Sequence, residues 1–322
     1  MYDKLVSIYK KLIKEIPSDN ILMNEFMYKH TTFNIGGVAD FYIKVYSIEE
    51  IQYILKVAKK CKIPLMVIGN GSNILIKDNG IRGIVLKIMM QNCEIIKGKD
   101  YAIVNVDAGL SNAKLCATLL EEELTGFEFA SGIPGTIGGG VKMNAGAFES
   151  EFKDIVIETT YIDVEDGSVK TLSNEEQQFS YRHSIFEDNN EIIISTKLKF
   201  KYGKKEEILE KIKEYMATRK AKQPIDKQCA GSTFKRGKDF IPAQLIDQCE
   251  LKGQAIGAAQ VSTMHAGFII NTCDARASEV IALMEYVKKV VLEKTGKKLE
   301  PEIQIVGEDK IKIVDEDDWR TK

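Results

Sequence analysis

The sequence predicts an α+β fold, with mixed sheets carrying helices and no regular βαβ alternation. Three observations carry this. Between Leu65 and Val106 short apolar strands follow one another: Leu65–Ile68, Ile74–Ile76, Ile84–Ile88, Cys93–Lys97 and Tyr101–Val106. Asp166-Gly167 lies between Thr159–Asp163 and Ser168–Leu172, a strong hairpin signal. Near Tyr202 the character changes to a charged amphipathic helix over 204–222, stopped by Pro224. At 322 residues the chain has a prior of two domains. We place the boundary at Lys204, giving units 1–203 and 204–307 and a polar tail, 308–322.

The elements follow from local signals. Leu5, Ile8, Leu12 and Ile16 recur at helical spacing and predict an N-terminal surface helix over 1–16. Ser47 with Glu50 makes a capping box, and Ile48, Ile51, Leu55 and Ala58 form one face of the helix it starts. A helix over 111–123 ends near Gly126. Ile192–Phe200 reads as a strand. In the second unit Ile208, Ile212, Tyr215 and Met216 share a helix face. Helices over Pro242–Glu250 and Ala277–Thr295 flank a strand at Gly267–Ile270, and Leu299–Val306 reads as a last strand.

Composition narrows the function. Net charge is −2, so there is no basic footprint for nucleic acid. No pair among the six cysteines has CxxC spacing, and the three histidines, His30, His183 and His265, are too scattered for a local metal motif. Lysines interrupt the apolar N-terminal stretch, which excludes a signal peptide. The longest stretch without charges other than His, Gly253–Cys273, is too polar for a membrane span. A reducing cytoplasm fits, and no obligate protein partner is evident.

Two glycine-bearing segments carry the chemistry. Gly69-Asn70-Gly71-Ser72-Asn73 lies between two apolar strands. Successive backbone N–H groups in such a turn form a concave anion site, although a tight β-turn alone also explains it. The second segment, 131–146, holds six of the 24 glycines. Ile133, Ile137, Val141 and Met143 interrupt it, so it is no flexible linker. It also lacks the Gly-Lys-Ser/Thr of a P-loop. Together the segments predict a large nucleotide cofactor gripped mainly by main chain.

These residues bring a resemblance with them. Thr32-Phe33-Asn34-Ile35-Gly36-Gly37, Gly69–Asn73 and Gly132-Ile133-Pro134-Gly135-Thr136-Ile137-Gly138-Gly139 resemble the flavin-binding domain of the UDP-N-acetylenolpyruvoylglucosamine reductase family. So do Tyr181-Arg182-His183-Ser184-Ile185-Phe186, Lys222-Gln223-Pro224, Ala230-Gly231-Ser232-Thr233-Phe234-Lys235 and Leu299-Glu300-Pro301-Glu302 downstream. The match spans about residues 28–307, in order, and resembles the family's shorter form. It implies a two-subdomain FAD-binding fold of the vanillyl-alcohol oxidase (PCMH) type, followed by an α+β substrate domain. It further implies non-covalent FAD, NADPH as co-substrate, and reduction of UDP-N-acetylglucosamine enolpyruvate to UDP-N-acetylmuramate for peptidoglycan.

The resemblance assigns cofactor binding to Thr32, Gly69, Asn70, Gly71, Ser72, Asn73, Gly132, Ile133, Pro134, Gly135, Thr136, Gly138, Gly139, Asn144 and Gly146. Arg182 is expected to grip the substrate carboxylate, since guanidinium pairs with carboxylate through two N–H bonds. Ser232 is expected to protonate C2 after hydride reaches C3, in an electropositive setting made by Lys222 and Lys235. Glu302 is expected to donate a hydrogen bond to the enediolate, which requires a carboxyl that carries a proton. Tyr181, Lys222, Lys235, Arg236 and His265 are substrate-side candidates. At Arg236-Gly237 the chain departs from the Asn-Pro of many relatives. Two other readings remain: an oxidase of the same fold with FAD tethered to His30, and a nucleotide-sugar binding protein without catalysis.

Overall fold

The computed structural model describes residues 2–189 and 191–309, and its fold is α+β as the sequence predicts. The first sheet is mixed, in the order Ile21–Phe26, Val38–Val45, Ile81–Ile88, Leu65–Ile68. The second is antiparallel, in the order Val169–Ser173, Val156–Ile162, Ile192–Tyr202, Tyr101–Asp107, Cys93–Lys97. Its hairpin at Asp166-Gly167 pairs Ile162 with Val169. Both sheets feed one core: Phe41, Ile43, Ile84 and Leu86 from the first meet Val104, Leu198 and Phe200 from the second. The two halves of the first unit therefore share their buried apolar surface, the main favourable term in folding.

Local signals formed the elements they predict. Ser47 Oγ accepts from Glu50 N at 3.2 Å, and Glu50 returns the bond to Tyr46 N at 2.6 Å, one residue outside the expected box. The helix that follows, Ile48–Cys61, buries Ile51, Ile54, Leu55, Val57 and Ala58. The N-terminal helix is shorter than expected, Tyr2–Leu12. Among the described residues no helix is long and apolar enough to cross a membrane.

The second core gathers Phe234, Ile246, Leu251, Val261 and Leu299 around the helix Ala277–Thr295, with Val280, Leu283, Met284 and Val287 buried. It also takes Phe33, Ile35 and Leu75 from the first unit. The helix Lys205–Lys222 does not belong to it: Ile212 and Tyr215 pack on the first core. The helix thus packs with the first unit, turning apolar residues back onto the core that precedes it.

The last strand is also shorter than expected. Only Gln304–Val306 is strand, and it pairs in parallel with Ile74–Ile76 of the first unit. Residues 300–302 instead run beside 233–235: Glu302 N donates to Thr233 O and Lys235 N to Glu300 O, both at 2.8 Å. A second tie between the units is a cap. Asp78, in the loop after Ile74–Ile76, accepts from Ala277 N at 2.7 Å and Ser278 N at 3.0 Å. It fills the orphan donors at the start of a 19-residue helix.

Replacing Asp78 by Ala is expected to cost about 1 kcal/mol, the usual price of a lost N-cap. A thermal melt of the two proteins checks this, and an unchanged midpoint contradicts it.

Candidate functional site

One continuous cleft of about 1820 Å³ runs between the two units. Typical small-molecule sites enclose roughly 300–1,000 Å³, so this one has room for a large cofactor beside a second ligand. Thr32, Gly69 to Asn73, Gly132 to Thr136, Gly138, Gly139 and Gly146 line it, as do Tyr181, Arg182, Ser232, Arg236, His265 and Glu302. The fold brings together segments more than two hundred residues apart in sequence.

The glycines serve two purposes. Gly71 has φ +61°, and a Cβ there would lie 2.2 Å from His30 O. Residues Ile137–Lys142 form a short helix with Thr136 as N-cap, which the glycine run hid from the sequence. Within it a Cβ on Gly140 would meet the Phe152 ring at 2.4 Å, and one on Gly138 would meet Ala108 at 2.9 Å. Those two glycines are required by packing. Gly139 differs: a Cβ there would find only Thr136 Oγ1, at 3.5 Å, and otherwise faces the cleft.

Arg182 and Glu302 are joined directly. Arg182 Nε donates to Glu302 Oε1 at 2.9 Å, with side chains 22% and 11% exposed. Tyr181 and Arg182 form the tip of a turn closed by Ser180 N to His183 O at 3.0 Å and His183 N to Ser180 O at 3.2 Å. Arg182 has φ +54°, a conformation that costs a non-glycine residue about 1–2 kcal/mol. Tyr181 reaches both sides: its hydroxyl accepts from Arg236 N at 3.4 Å and lies 3.5 Å from Glu302 Oε2. Glu302 is fixed through its backbone by Thr233 O and by Asn73 Nδ2, which donates to Glu302 O at 3.2 Å. Ser232 precedes Thr233 and so sits on the segment running beside Glu302. The carboxyl expected to carry a proton is thus an ion-paired one here.

Three expected site residues are elsewhere. Asn144 is fully buried with both amide atoms engaged, Nδ2 to Ser180 O at 2.8 Å and Oδ1 from Lys153 N at 2.9 Å. Lys235 is outside the lining because its segment is extended and side chains alternate: Ser232, Phe234 and Arg236 face the cleft. Lys222 lies off the helix face that carries Met216 and Arg219 into the cleft, and it is exposed. Neither lysine contributes its ammonium to the cleft lining. His265 lines the cleft, yet its Nδ1 accepts from Gly267 N at 3.1 Å and its ring packs edge-on to Phe268. Burial lowers its pKa, which favours the neutral ring. His30 does not reach the cleft lining: its Nε2 lies 3.0 Å from Glu25 and its ring stacks on Tyr42.

Arg219 escaped the sequence reading. It lines the cleft, and burial lowers its pKa, with the Arg182 charge adding to the effect. Its Nε is buried without a partner, as is Asn112 Oδ1 nearby on the lining. A buried donor without an acceptor costs about 1–3 kcal/mol. These orphans, the open face of Gly139 and the Gly69–Asn73 turn fit a polar dinucleotide. Lys87 stiffens that turn, its ammonium donating to Gly69 O at 2.5 Å and Asn70 Oδ1 at 3.0 Å. Burial brings its pKa down to about 8.

Comparison with known proteins agrees with this geometry. A family model described as FAD binding domain matches residues 39–173. Another, described as UDP-N-acetylenolpyruvoylglucosamine reductase, C-terminal domain, matches residues 223–306. The chain is 43% identical to the UDP-N-acetylenolpyruvoylglucosamine reductase of Caldanaerobacter subterraneus subsp. tengcongensis over 308 residues, covering 96% of this chain and 100% of that protein. The chain belongs to that family. It is 40% identical to the enzyme of the same name from Clostridioides difficile, over 94% of this chain and 98% of the relative. The crystal structure of the Thermus caldophilus family member superposes with a TM-score of 0.76 at 31% identity, covering 89% of this chain and 98% of the other. The chain is accordingly an FAD-dependent oxidoreductase. The C-terminal match begins at residue 223, directly after the helix Lys205–Lys222.

The two kinds of glycine give opposite expectations. Gly139→Ala should keep or raise the melting temperature, since Ala gains about 1 kcal/mol in a helix, while flavin retention on gel filtration falls. Gly140→Ala should lower the melting temperature through the clash with Phe152, at a cost of about 1–3 kcal/mol. The reverse pattern contradicts the division.

Proposed function

We propose that the chain reduces the enolpyruvyl ether of a UDP-N-acetylglucosamine to the lactyl ether, with NADPH as the electron source. The observation that carries this reading is the meeting of Arg182, Glu302 and Ser232 beside the glycine-lined cleft. Residues 69–73 and 132–139 would hold the FAD, which when bound supplies hydride to C3 of the substrate. All other steps fall to this chain's own groups.

Arg182 grips the substrate carboxylate. It is ion-paired to Glu302, so an incoming carboxylate competes for the same guanidinium. Two carboxylates beside one guanidinium repel each other, and a proton on Glu302 relieves that repulsion. Glu302 then donates its hydrogen bond to the carboxylate oxygen on which negative charge grows. Preorganised charge of this kind is commonly the largest catalytic contribution. Ser232 gives its hydroxyl proton to C2. A hydroxyl is a weak acid, so it needs a strongly basic acceptor, and the carbanion at C2 is one. Arg182 and Arg219 place guanidinium groups on the cleft lining, where Lys222 and Lys235 do not reach. Arg236, exposed at the cleft and bonded through its backbone N to Tyr181, suits the diphosphate of the substrate. His265, held neutral, suits a hydrogen bond rather than a charge contact there.

The six cysteines are all unpaired, which suits a reducing cytoplasm.

Stopped-flow mixing of NADPH and then enolpyruvyl substrate with the Ser232→Ala protein tests the reading. Bleaching of the flavin by NADPH should survive, while reoxidation by the substrate slows by about 10²–10⁴, the usual worth of a positioned proton donor. Unchanged reoxidation overturns the role of Ser232.

A further inference from the structure

The second half of the glycine-rich segment holds the catalytic arginine. Three alternate residues, 142, 144 and 146, each bond one of three alternate residues in the turn 180–184. Ser184 Oγ donates to Lys142 O at 2.7 Å, Asn144 Nδ2 donates to Ser180 O at 2.8 Å, and Arg182 Nη2 donates to Gly146 O at 2.9 Å. Ser184 and Asn144 are both completely buried. Neither belongs to the cleft lining, and the side-chain polar atoms of both are taken up inside the protein.

The turn needs such support. Arg182 has φ +54° and Asn144 has φ +43°. Left-handed backbone at a non-glycine residue persists only where the surroundings over-determine it. Arg182 also carries a long side chain with several rotamers, and only one end of it is held by Glu302. Bonds at Ser180 and Ser184 clamp the backbone on both sides, and the Gly146 carbonyl fixes the second nitrogen of the guanidinium. The fork is then aimed with Nε toward Glu302.

We propose that Asn144 and Ser184 are positioning residues for Arg182, setting the guanidinium where a substrate carboxylate meets it. The assignment rests on the role given to Arg182 above. It also places the cofactor cradle and the substrate clamp on one short stretch of chain: Gly132 to Thr136, Gly138 and Gly139 line the cleft, and Lys142, Asn144 and Gly146 bond the arginine turn.

The test uses the flavin-loaded proteins Asn144→Gly, which keeps the left-handed backbone without strain, and Ser184→Ala. Flavin content and the rate of bleaching by NADPH should stay within about twofold of the parent. Reoxidation by enolpyruvyl substrate should slow by about 10–100-fold, the scale expected when a catalytic group shifts by about an ångström. In calorimetry the affinity for UDP-N-acetylmuramate, which carries the carboxylate, should fall, and that for UDP-N-acetylglucosamine, which lacks it, should not. Equal loss in every readout, in step with a lower melting temperature, would mean a purely structural role and overturn the proposal. Crystal structures of the two variants separate this claim from the reading of the reaction. The Arg182–Glu302 contact should be broken or displaced. If it persists at its present length in both, the positioning claim fails whatever the substrate is. A parent protein whose reduced flavin the substrate does not reoxidise overturns the reaction instead.

Discussion

The ion pair between Arg182 and Glu302 is the point on which the cleft depends. Its partners are 120 residues apart in sequence and come from the two different units. Neither is free to drift. Glu302 is pinned by Thr233 on one side and Asn73 on the other, and Gln304 N continues the tie with a bond to Asn73 O at 2.9 Å. Arg182 stands on a turn bound to the end of the glycine-rich segment. The cofactor cradle is therefore joined by hydrogen bonds to both members of the pair: Asn73 leads to Glu302, and residues 142–146 lead to Arg182. A cleft lined by loops acquires the rigidity that catalysis needs from these few long-range bonds.

The balance of charge in the cleft follows from the same pair. Arg182, Arg219 and Arg236 supply three guanidinium groups along the lining, and Glu302 neutralises the first of them. Burial disfavours the charge on Arg219, and its unpartnered Nε has no water-like substitute within the protein. Anionic ligands relieve these costs. The pair is partly buried, so a substrate carboxylate that takes Arg182 leaves Glu302 without its charge partner, and a proton on Glu302 removes that cost.

Sequence patterns made much of the scaffold legible. The Asp166-Gly167 hairpin, the Ser47-capped helix and the helix Ala277–Thr295 announce themselves through neighbours in the chain. The parallel pairing of Ile74–Ile76 with Gln304–Val306 does not, because two distant three-residue strands leave no local mark. That pairing decides where Glu302 sits. Motif resemblance picked Glu302 from an alternating polar face that also holds Glu300 and Gln304. Gln304 reaches the cleft as well and bonds Glu187 at 2.8 Å. Resemblance placed Asn144 at the cofactor, and only the fold reveals that both its side-chain amide atoms are used internally. Arg219 was missed, since an arginine on a lysine-rich amphipathic helix looks like a solvated charge until packing turns it inward. The lysines at 222 and 235 fell to simple periodicity, one to the turn of a helix and one to the alternation of an extended segment.

The central claim is that substrate carboxylate and Glu302 compete for Arg182. Calorimetric affinities of the parent and Glu302→Gln proteins for UDP-N-acetylmuramate, with UDP-N-acetylglucosamine as the carboxylate-free control, test it most directly. Glutamine keeps the shape and removes the competing charge. The account predicts tighter binding of the carboxylate-bearing ligand to Glu302→Gln and no change for the control. Equal or weaker binding of the carboxylate ligand by the variant, with the control unchanged, would contradict it.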